Sequence, residues 1–162
     1  MTKAPLTPPA LDPTSIDPRI GSGYPAPFRA PVAGRRKRAL GDALGLTRYG
    51  VNLVELPPGA WSSQRHWHSH EDEFVYVIAG QLTLVNDTGE QVLDPGMVAG
   101  FAAGSGDGHH LINHGAVTAR YLEIGDRHAD DEVHYPDIDL LLPGARGARA
   151  FTHTDGRPYD QD

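Results

Sequence analysis

Between Gly59 and Gly80 the chain reads GAWSSQRHWHSHEDEFVYVIAG. Three histidines stand at alternate positions, His66, His68 and His70, and an acidic run, Glu71, Asp72 and Glu73, follows directly. Side chains two apart leave the same face of an extended strand, so alternation lets two imidazoles reach one point. A carboxylate arriving nearby completes a donor set of nitrogen and oxygen suited to a divalent metal. This stretch points to metal binding before it points to any reaction.

The elements that must hold these residues are short strands. Val51 to Leu56 is ended by Pro57, Pro58 and Gly59, Gln64 to His68 is the next run, and Phe74 to Ala79 stops at Gly80. Gln81 to Val85 leads into Asn86-Asp87-Thr88-Gly89, a hairpin turn by residue type, and Gln91 to Leu93 returns. Pro95-Gly96 turns the chain into Met97 to Phe101. The loop Gly104 to Gly108 opens onto His109 to Asn113, and Thr118 to Ile124 closes the series. Short apolar runs with regular turns and no long helix read as an all-β barrel or sandwich, which removes sheet edges by closing on itself.

Parity sharpens the reading. His66 and His68 share a face, but Glu73 lies an odd number of positions away, so a turn or bulge at Ser69 to Asp72 must reset the phase. Beyond it Glu73, Val75 and Val77 share one face, and Phe74, Tyr76 and Ile78 the other. His109, Leu111 and Asn113 face opposite to His110 and Ile112, so only one of the two adjacent histidines can be a ligand. Arg65 falls opposite His66. Trp61, Trp67 and Phe101 are candidates to line a pocket, but such aromatics in small barrels are more often in the core or at a dimer interface, which is the expectation here. His114, His128, His134 and His153 show no pattern beyond composition.

Composition narrows the classes of function. A chain of 162 residues suits one domain with a genuine core. It contains no cysteine, which leaves nitrogen and oxygen as the metal donors and excludes disulfides. Lys+Arg 14 against Asp+Glu 21 gives a net charge of -7, unlike a surface that neutralises phosphates, so no nucleic-acid partner is expected. There is no long apolar run and no basic-then-apolar leader, so a soluble, cytoplasmic protein with no membrane partner is expected.

Three regions are expected. Residues 1–48 form a Pro-rich extended arm, with eight of the 14 prolines in its first 31 residues and Tyr24, Phe28 and Val32 as anchors. Its basic cluster Arg35, Arg36, Lys37 and Arg38 reads as a solvated turn. Ala39 to Leu46 has room for one short turn of helix. Residues 49–126 form the barrel. Residues 127–162 begin with the acidic Asp130, Asp131 and Glu132 and continue with Leu140, Leu141, Leu142, Phe151 and Tyr159. This segment is expected to pack on the barrel or a partner subunit, covering the pocket mouth.

The central run resembles the first motif of the cupin superfamily, in which a glycine precedes a His-x-His pair, a glutamate follows, and a second glycine closes the motif. Gly59, His66, His68, Glu73 and Gly80 supply it, with one extra residue between Gly59 and His66. A looser second motif falls on Gly89, Ala102, Gly104, His109 and Asn113. Ala102 stands where proline is usual, and the spacing from Gly104 to His109 is two residues longer than the pattern. The segments SGYPAPF and FTHTDGRPY are similar to those of small single-domain bacterial cupins. The resemblance implies a single jelly-roll β-barrel flanked by an extended N-terminal arm and a C-terminal segment, one divalent metal per chain, and a homodimer. It also implies His66, His68, Glu73 and His109 as the metal ligands. Zn, Fe, Mn and Ni all suit that donor set, with one or two positions open for water or substrate.

His70, Gln64 and Asn113 are further candidates to line the pocket or support the ligands, and His70 is the residue to replace a ligand if the turn falls later. No catalytic residue is singled out. The functions compatible with these residues are a metal-dependent enzyme, a non-catalytic binder of a small ligand, and a structural metal site. The enzyme would use the metal as a Lewis acid on a small oxygenated molecule such as a sugar, sugar phosphate or carboxylate, as in isomerase or decarboxylase chemistry. Fe-dependent dioxygenase chemistry is an alternative. A phosphate would need a cation, and with lysine limited to Lys3 and Lys37 the candidates are Arg48, Arg65 and Arg120.

Overall fold

Glycine and proline set the strand ends in the computed structural model, which describes residues 6–144 and 150–159. Lys3 and Pro5 of the arm, residues 145–149 and residues 160–162 lie outside the described residues. Among those described, the strands in chain order are β1 (Arg19–Ile20), β2 (Arg36–Ala39), β3 (Tyr49–Leu56), β4 (Trp67–His68), β5 (Glu73–Ala79) and β6 (Leu82–Asn86). They continue with β7 (Gly89–Leu93), β8 (Val98–Phe101), β9 (His110–Ile112), β10 (Ala119–Asp126), β11 (Val133–Tyr135) and β12 (Leu140–Leu142). One helical turn, α1 (Leu40–Ala43), follows β2, where Gly41 and Gly45 keep it short. No helix among the described residues is long and apolar enough to cross a membrane.

The larger sheet has the order β1-β2-β3-β10-β5-β8, and there are two three-stranded sheets, β12-β11-β4 and β7-β6-β9. Isolated bridges His66↔His109 and Trp61↔Ile112 join the run before β4 to β9 and its neighbourhood. The sheets are not closed by a continuous ladder, but their order is that of a jelly roll. Gly80 makes the β5–β6 turn possible. Its φ is 73°, and a Cβ there would lie 2.7 Å from the Ala119 Cα on β10. The β6–β7 hairpin closes on Asn86↔Gly89, where the turn residues place it.

Alternation fills the interior. On β5 Val75 and Val77 are buried while Phe74, Tyr76 and Ile78 are exposed. With Val54 and Leu56 of β3, Leu82 and Leu84 of β6, and Tyr121 of β10 they make the main core. Each such side chain contributes roughly 1.5–3 kcal/mol on burial. A second core joins the flanking segments, with Tyr24 and Val32 from the arm against Val133, Tyr135 and Leu140.

Three expectations change here. The run Gln64 to His68 is a strand only at Trp67–His68, because the Gln64 side chain turns to the Phe28 carbonyl and His66 Nδ1 turns back to the Gln64 carbonyl. The basic cluster is not a solvated turn. Arg36, Lys37 and Arg38 lie in β2, with Arg35 just before it, and β2 pairs antiparallel with β3, Arg36 opposite Glu55 and Lys37 opposite Val54. Alternation then sends Arg38 to an ion pair with Glu55 and turns Arg35 and Lys37 toward the interior cavity. Proline in the arm does not keep it fully extended, since 3-10 turns at Pro13–Ser15, Ala26–Phe28 and Ala30–Val32 begin at or beside proline, whose fixed φ suits a first helical position. The C-terminal segment packs on the barrel through β11 pairing with β4, Val133 opposite His68.

Candidate metal centre

Ser69 to Asp72 lie outside both flanking strands, and this break resets the phase between His68 and Glu73. As a result three imidazoles from two distant segments meet one carboxylate oxygen. The Oε2 of Glu73 is 2.9 Å from His109 Nε2, 3.5 Å from His66 Nε2 and 3.5 Å from His68 Nε2. The backbones of His66 and His109 exchange both hydrogen bonds, at 3.1 and 2.8 Å, which fixes the two rings side by side.

The far side of each ring decides its tautomer. His68 Nδ1 is 2.7 Å from Oδ2 of Asp131, and His66 Nδ1 is 2.9 Å from the Gln64 carbonyl. A carboxylate and a carbonyl only accept, so each Nδ1 carries the proton and each Nε2 turns a lone pair toward Glu73. Lone pairs and a carboxylate oxygen aimed at one another repel unless a cation lies between them. His66, His68 and Glu73 present donor atoms all within 4.8 Å of one another, an arrangement that fits a divalent ion. His109 is held differently. Its ring stacks on Phe101 with centroids 3.5 Å apart and planes 1° apart, and its Nδ1 is buried without a partner.

With a proton in place of an ion on these nitrogens, the same contacts act as charge-assisted hydrogen bonds. Burial pushes the Glu73 carboxyl up, but hydrogen bonds from His109 and His66 and the charge of His66 and His68 outweigh it, leaving it well below the usual carboxylate range. Burial favours the neutral form of His66, yet the Glu73 hydrogen bond and charge leave it raised. For His109 burial wins, and its ring is held below the usual histidine value.

The cluster lies on the wall of a cavity of about 1410 Å³. Tyr24 from the arm and Tyr135, Phe151 and Tyr159 from the C-terminal segment complete that wall, so both flanking regions shape the space beside the cluster. Glu123 of β10 faces the same space, paired to Lys37 and to Asn52 Nδ2.

Other candidates fall elsewhere. His70 is exposed, with its Nδ1 on Ser69 Oγ and its ring stacked on His128, so it does not join the cluster. Gln64 contributes its carbonyl to His66, while its Nε2 donates 2.9 Å to Phe28 O and ties down the arm. Asn113 is fully buried away from the cavity, its Nδ2 donating to Leu56 O and Val117 O. His110 points away, its Nδ1 on Ser63 O and its ring against Trp61. Arg65 faces outward, clamped by Asp137 and Asp87, and Arg48 and Arg120 do not line the cavity.

Two contributors escape a reading of spacing alone. Asp131 has no exposed side-chain surface and supports His68 from 63 residues away. A signal existed: Asp131, Val133 and Tyr135 alternate, and all three are buried. Phe101 pairs in register with Glu73 across β5 and β8, which brings its ring under His109.

Comparison with known proteins agrees with this architecture. The Cupin domain family matches residues 52–125. A crystal structure from Silicibacter pomeroyi, described as a sugar phosphate isomerase from a cupin superfamily, is 45% identical over 94% of this chain and 97% of that one, with a TM-score of 0.89. A structure from Acidithiobacillus ferrooxidans, provisionally assigned as a sugar phosphate isomerase, is 32% identical over 80% of this chain and 83% of that one, with a TM-score of 0.71. A predicted oxalate decarboxylase from Thermotoga maritima shares the fold at 19% identity over 74% of this chain and 99% of that one, with a TM-score of 0.61. No functionally curated protein matches the chain in sequence. The motif-bearing strands and a 45% identical relative covering nearly the whole length show that this chain belongs to the cupin superfamily.

Proposed function

We propose that the protein is a metal-dependent enzyme in which His66, His68, His109 and Glu73 hold one divalent ion, Zn, Fe, Mn or Ni, at the wall of the substrate cavity. The observation that carries this reading is the convergence of three Nε2 atoms on Glu73 Oε2 within 3.5 Å. The bound ion supplies a Lewis acid that polarises a carbonyl or hydroxyl of a small oxygenated substrate. Asp131 and the Gln64 carbonyl keep His68 and His66 in the ligating tautomer, and Phe101 holds the ring plane of His109. The cluster lines an open cavity, which supports vacant coordination positions for substrate over a closed structural site.

Isomerisation of a sugar or sugar derivative is the reaction class favoured here. Its support is that two neighbours above 30% identity are described as sugar phosphate isomerases, the second of them provisionally. Such a reaction moves a proton between adjacent carbons. Glu123, facing the cavity beside Lys37 and Asn52, is the carboxylate placed to hold it.

The unit 49–126 carries the ligands, and the arm and C-terminal segment supply the outer wall. Pairing of two chains fits the exposed row Phe74, Tyr76 and Ile78 of β5 with Val98 of β8, and light scattering of the purified protein reads it directly.

The test is to strip the protein with a chelator, reload it separately with each of the four metals, and follow aldose–ketose interconversion by NMR over sugars and sugar phosphates. Turnover that returns with metal and is lost in Glu73→Ala supports the reading. Metal-loaded protein that binds these compounds but turns none over would assign it as a non-catalytic binder.

A further inference from the structure

We infer that Arg35, with Arg19 and Arg29, forms an anion-recognition pole in the metal-bearing cavity and takes the phosphate of a small polyhydroxylated phosphate monoester. This inference rests on the proposed metal reading and adds the group at the other end of the substrate.

The starting observation is charge balance. Several basic side chains near the barrel are neutralised by carboxylates: Lys37 by Glu123, Arg38 by Glu55, Arg65 by Asp137 and Asp87, and Arg127 by Asp42. Arg19, Arg29 and Arg35 all line the cavity, and none has a carboxylate partner among the described residues. Arg35 is the decisive one. Its Nη1 donates 2.6 Å to Ser62 O, its Nη2 donates 3.1 Å to Gly21 O, and its Nε is buried without an acceptor. A part-buried guanidinium countered only by carbonyl dipoles is costly unless an anion reaches it. Arg29 Nε donates 2.6 Å to Tyr24 O, so its guanidinium is anchored to the same wall, and Arg19 stands beside Gly23.

Position relative to the metal cluster completes the case. Ser62, which receives Arg35, is followed by Ser63, whose Oγ is 3.2 Å from His66 Nδ1. Tyr24, Tyr121, Arg35 and Glu73 all line the same cavity. One small molecule can therefore set an oxygen at the metal and an anionic group at the arginines. A carboxylate is satisfied by one bidentate arginine, whereas three cations without a carboxylate partner match a phosphate dianion with three terminal oxygens. Arg48, Arg65 and Arg120 do not serve this role, because none is free and in the cavity.

The test uses metal-loaded full-length protein titrated calorimetrically with inorganic phosphate, with glycolate as the carboxylate probe, and with metal content measured on every sample. Arg35→Ala is expected to weaken phosphate binding about tenfold or more with metal content unchanged, the size of losing one charge-assisted hydrogen bond. Arg35 also braces Ser62 and Gly21, so Arg19→Ala and Arg29→Ala, which alter exposed side chains, serve as the second pair and are each expected to weaken phosphate severalfold. His68→Ala is expected to lose metal yet keep phosphate, which separates failure of the metal reading from failure of this one. Phosphate affinity indifferent to all three arginines, phosphate lost together with the metal in His68→Ala, or glycolate bound as tightly as phosphate through the same arginines would each overturn the inference.

Discussion

His68 Nδ1 and Asp131 Oδ2 lie 2.7 Å apart, and the Asp131 side chain has no exposed surface. Its other oxygen accepts from the backbone of His70 at 3.0 Å and of Glu71 at 3.3 Å. One carboxylate from the C-terminal segment thus fixes the tautomer of His68 and pins the turn that brings Glu73 into phase.

Asp131→Asn is nearly isosteric but places an amide donor where His68 Nδ1–H needs an acceptor. Metal affinity should fall about 10–100-fold, read by competition with a chromogenic chelator. An unchanged affinity would show that Asp131 serves the fold alone.

The adjacent histidines make a matched pair. His109→Ala should abolish stoichiometric metal binding, because His109 Nε2 approaches Glu73 Oε2 most closely, at 2.9 Å. His110→Ala should leave metal content unchanged, since that ring stacks on Trp61 and bonds to Ser63 O. Metal loss in His110→Ala instead would shift the ligand by one residue.

Gly80→Ala tests the turn beneath the site. A side chain at φ 73° and a Cβ placed 2.7 Å from the Ala119 Cα should cost at least roughly 1–3 kcal/mol in urea unfolding. A variant as stable as the wild type would mean that this turn relaxes freely.

The C-terminal wall should loosen in acid. Hydrogen bonds from the Thr154 side chain and backbone, and from His153, hold the Asp139 carboxyl well below its ordinary value of 3.8. A carboxylate depressed on folding stabilises above its unfolded value and loses that contribution as pH falls toward the folded one. Hydrogen-exchange protection over residues 151–159, taken relative to the intrinsic rate at each pH, should therefore be high at neutral pH and fall as pH drops below 3.8. Asp139→Asn should flatten that dependence, and an identical acid transition in the variant would assign it to other groups.

Much of this was legible in the sequence, for local reasons. Turn residues fixed the ends of β3, β5, β6 and β7, and period-two alternation separated Val75 and Val77 from Phe74 and Tyr76. Parity also separated His109 from His110, because both sit on one regular stretch. The inward turn of Arg35 and Lys37 was hidden, since a run of four basic residues shows no alternation of its own and takes its phase from pairing with β3. Asn113 was hidden likewise, as its partners Leu56 and Val117 come together only in the folded chain. Support of His68 by Asp131 depends on β11 adding to β4, a pairing across more than sixty residues that no local pattern encodes.

Elemental analysis of the wild type, His68→Ala and Glu73→Ala, each purified under native conditions, tests the proposed four-ligand centre itself. Close to one divalent ion per chain in the wild type and almost none in either folded variant is the expected result. Full occupancy in either variant, or a wild type that takes up no metal when loaded, would contradict it.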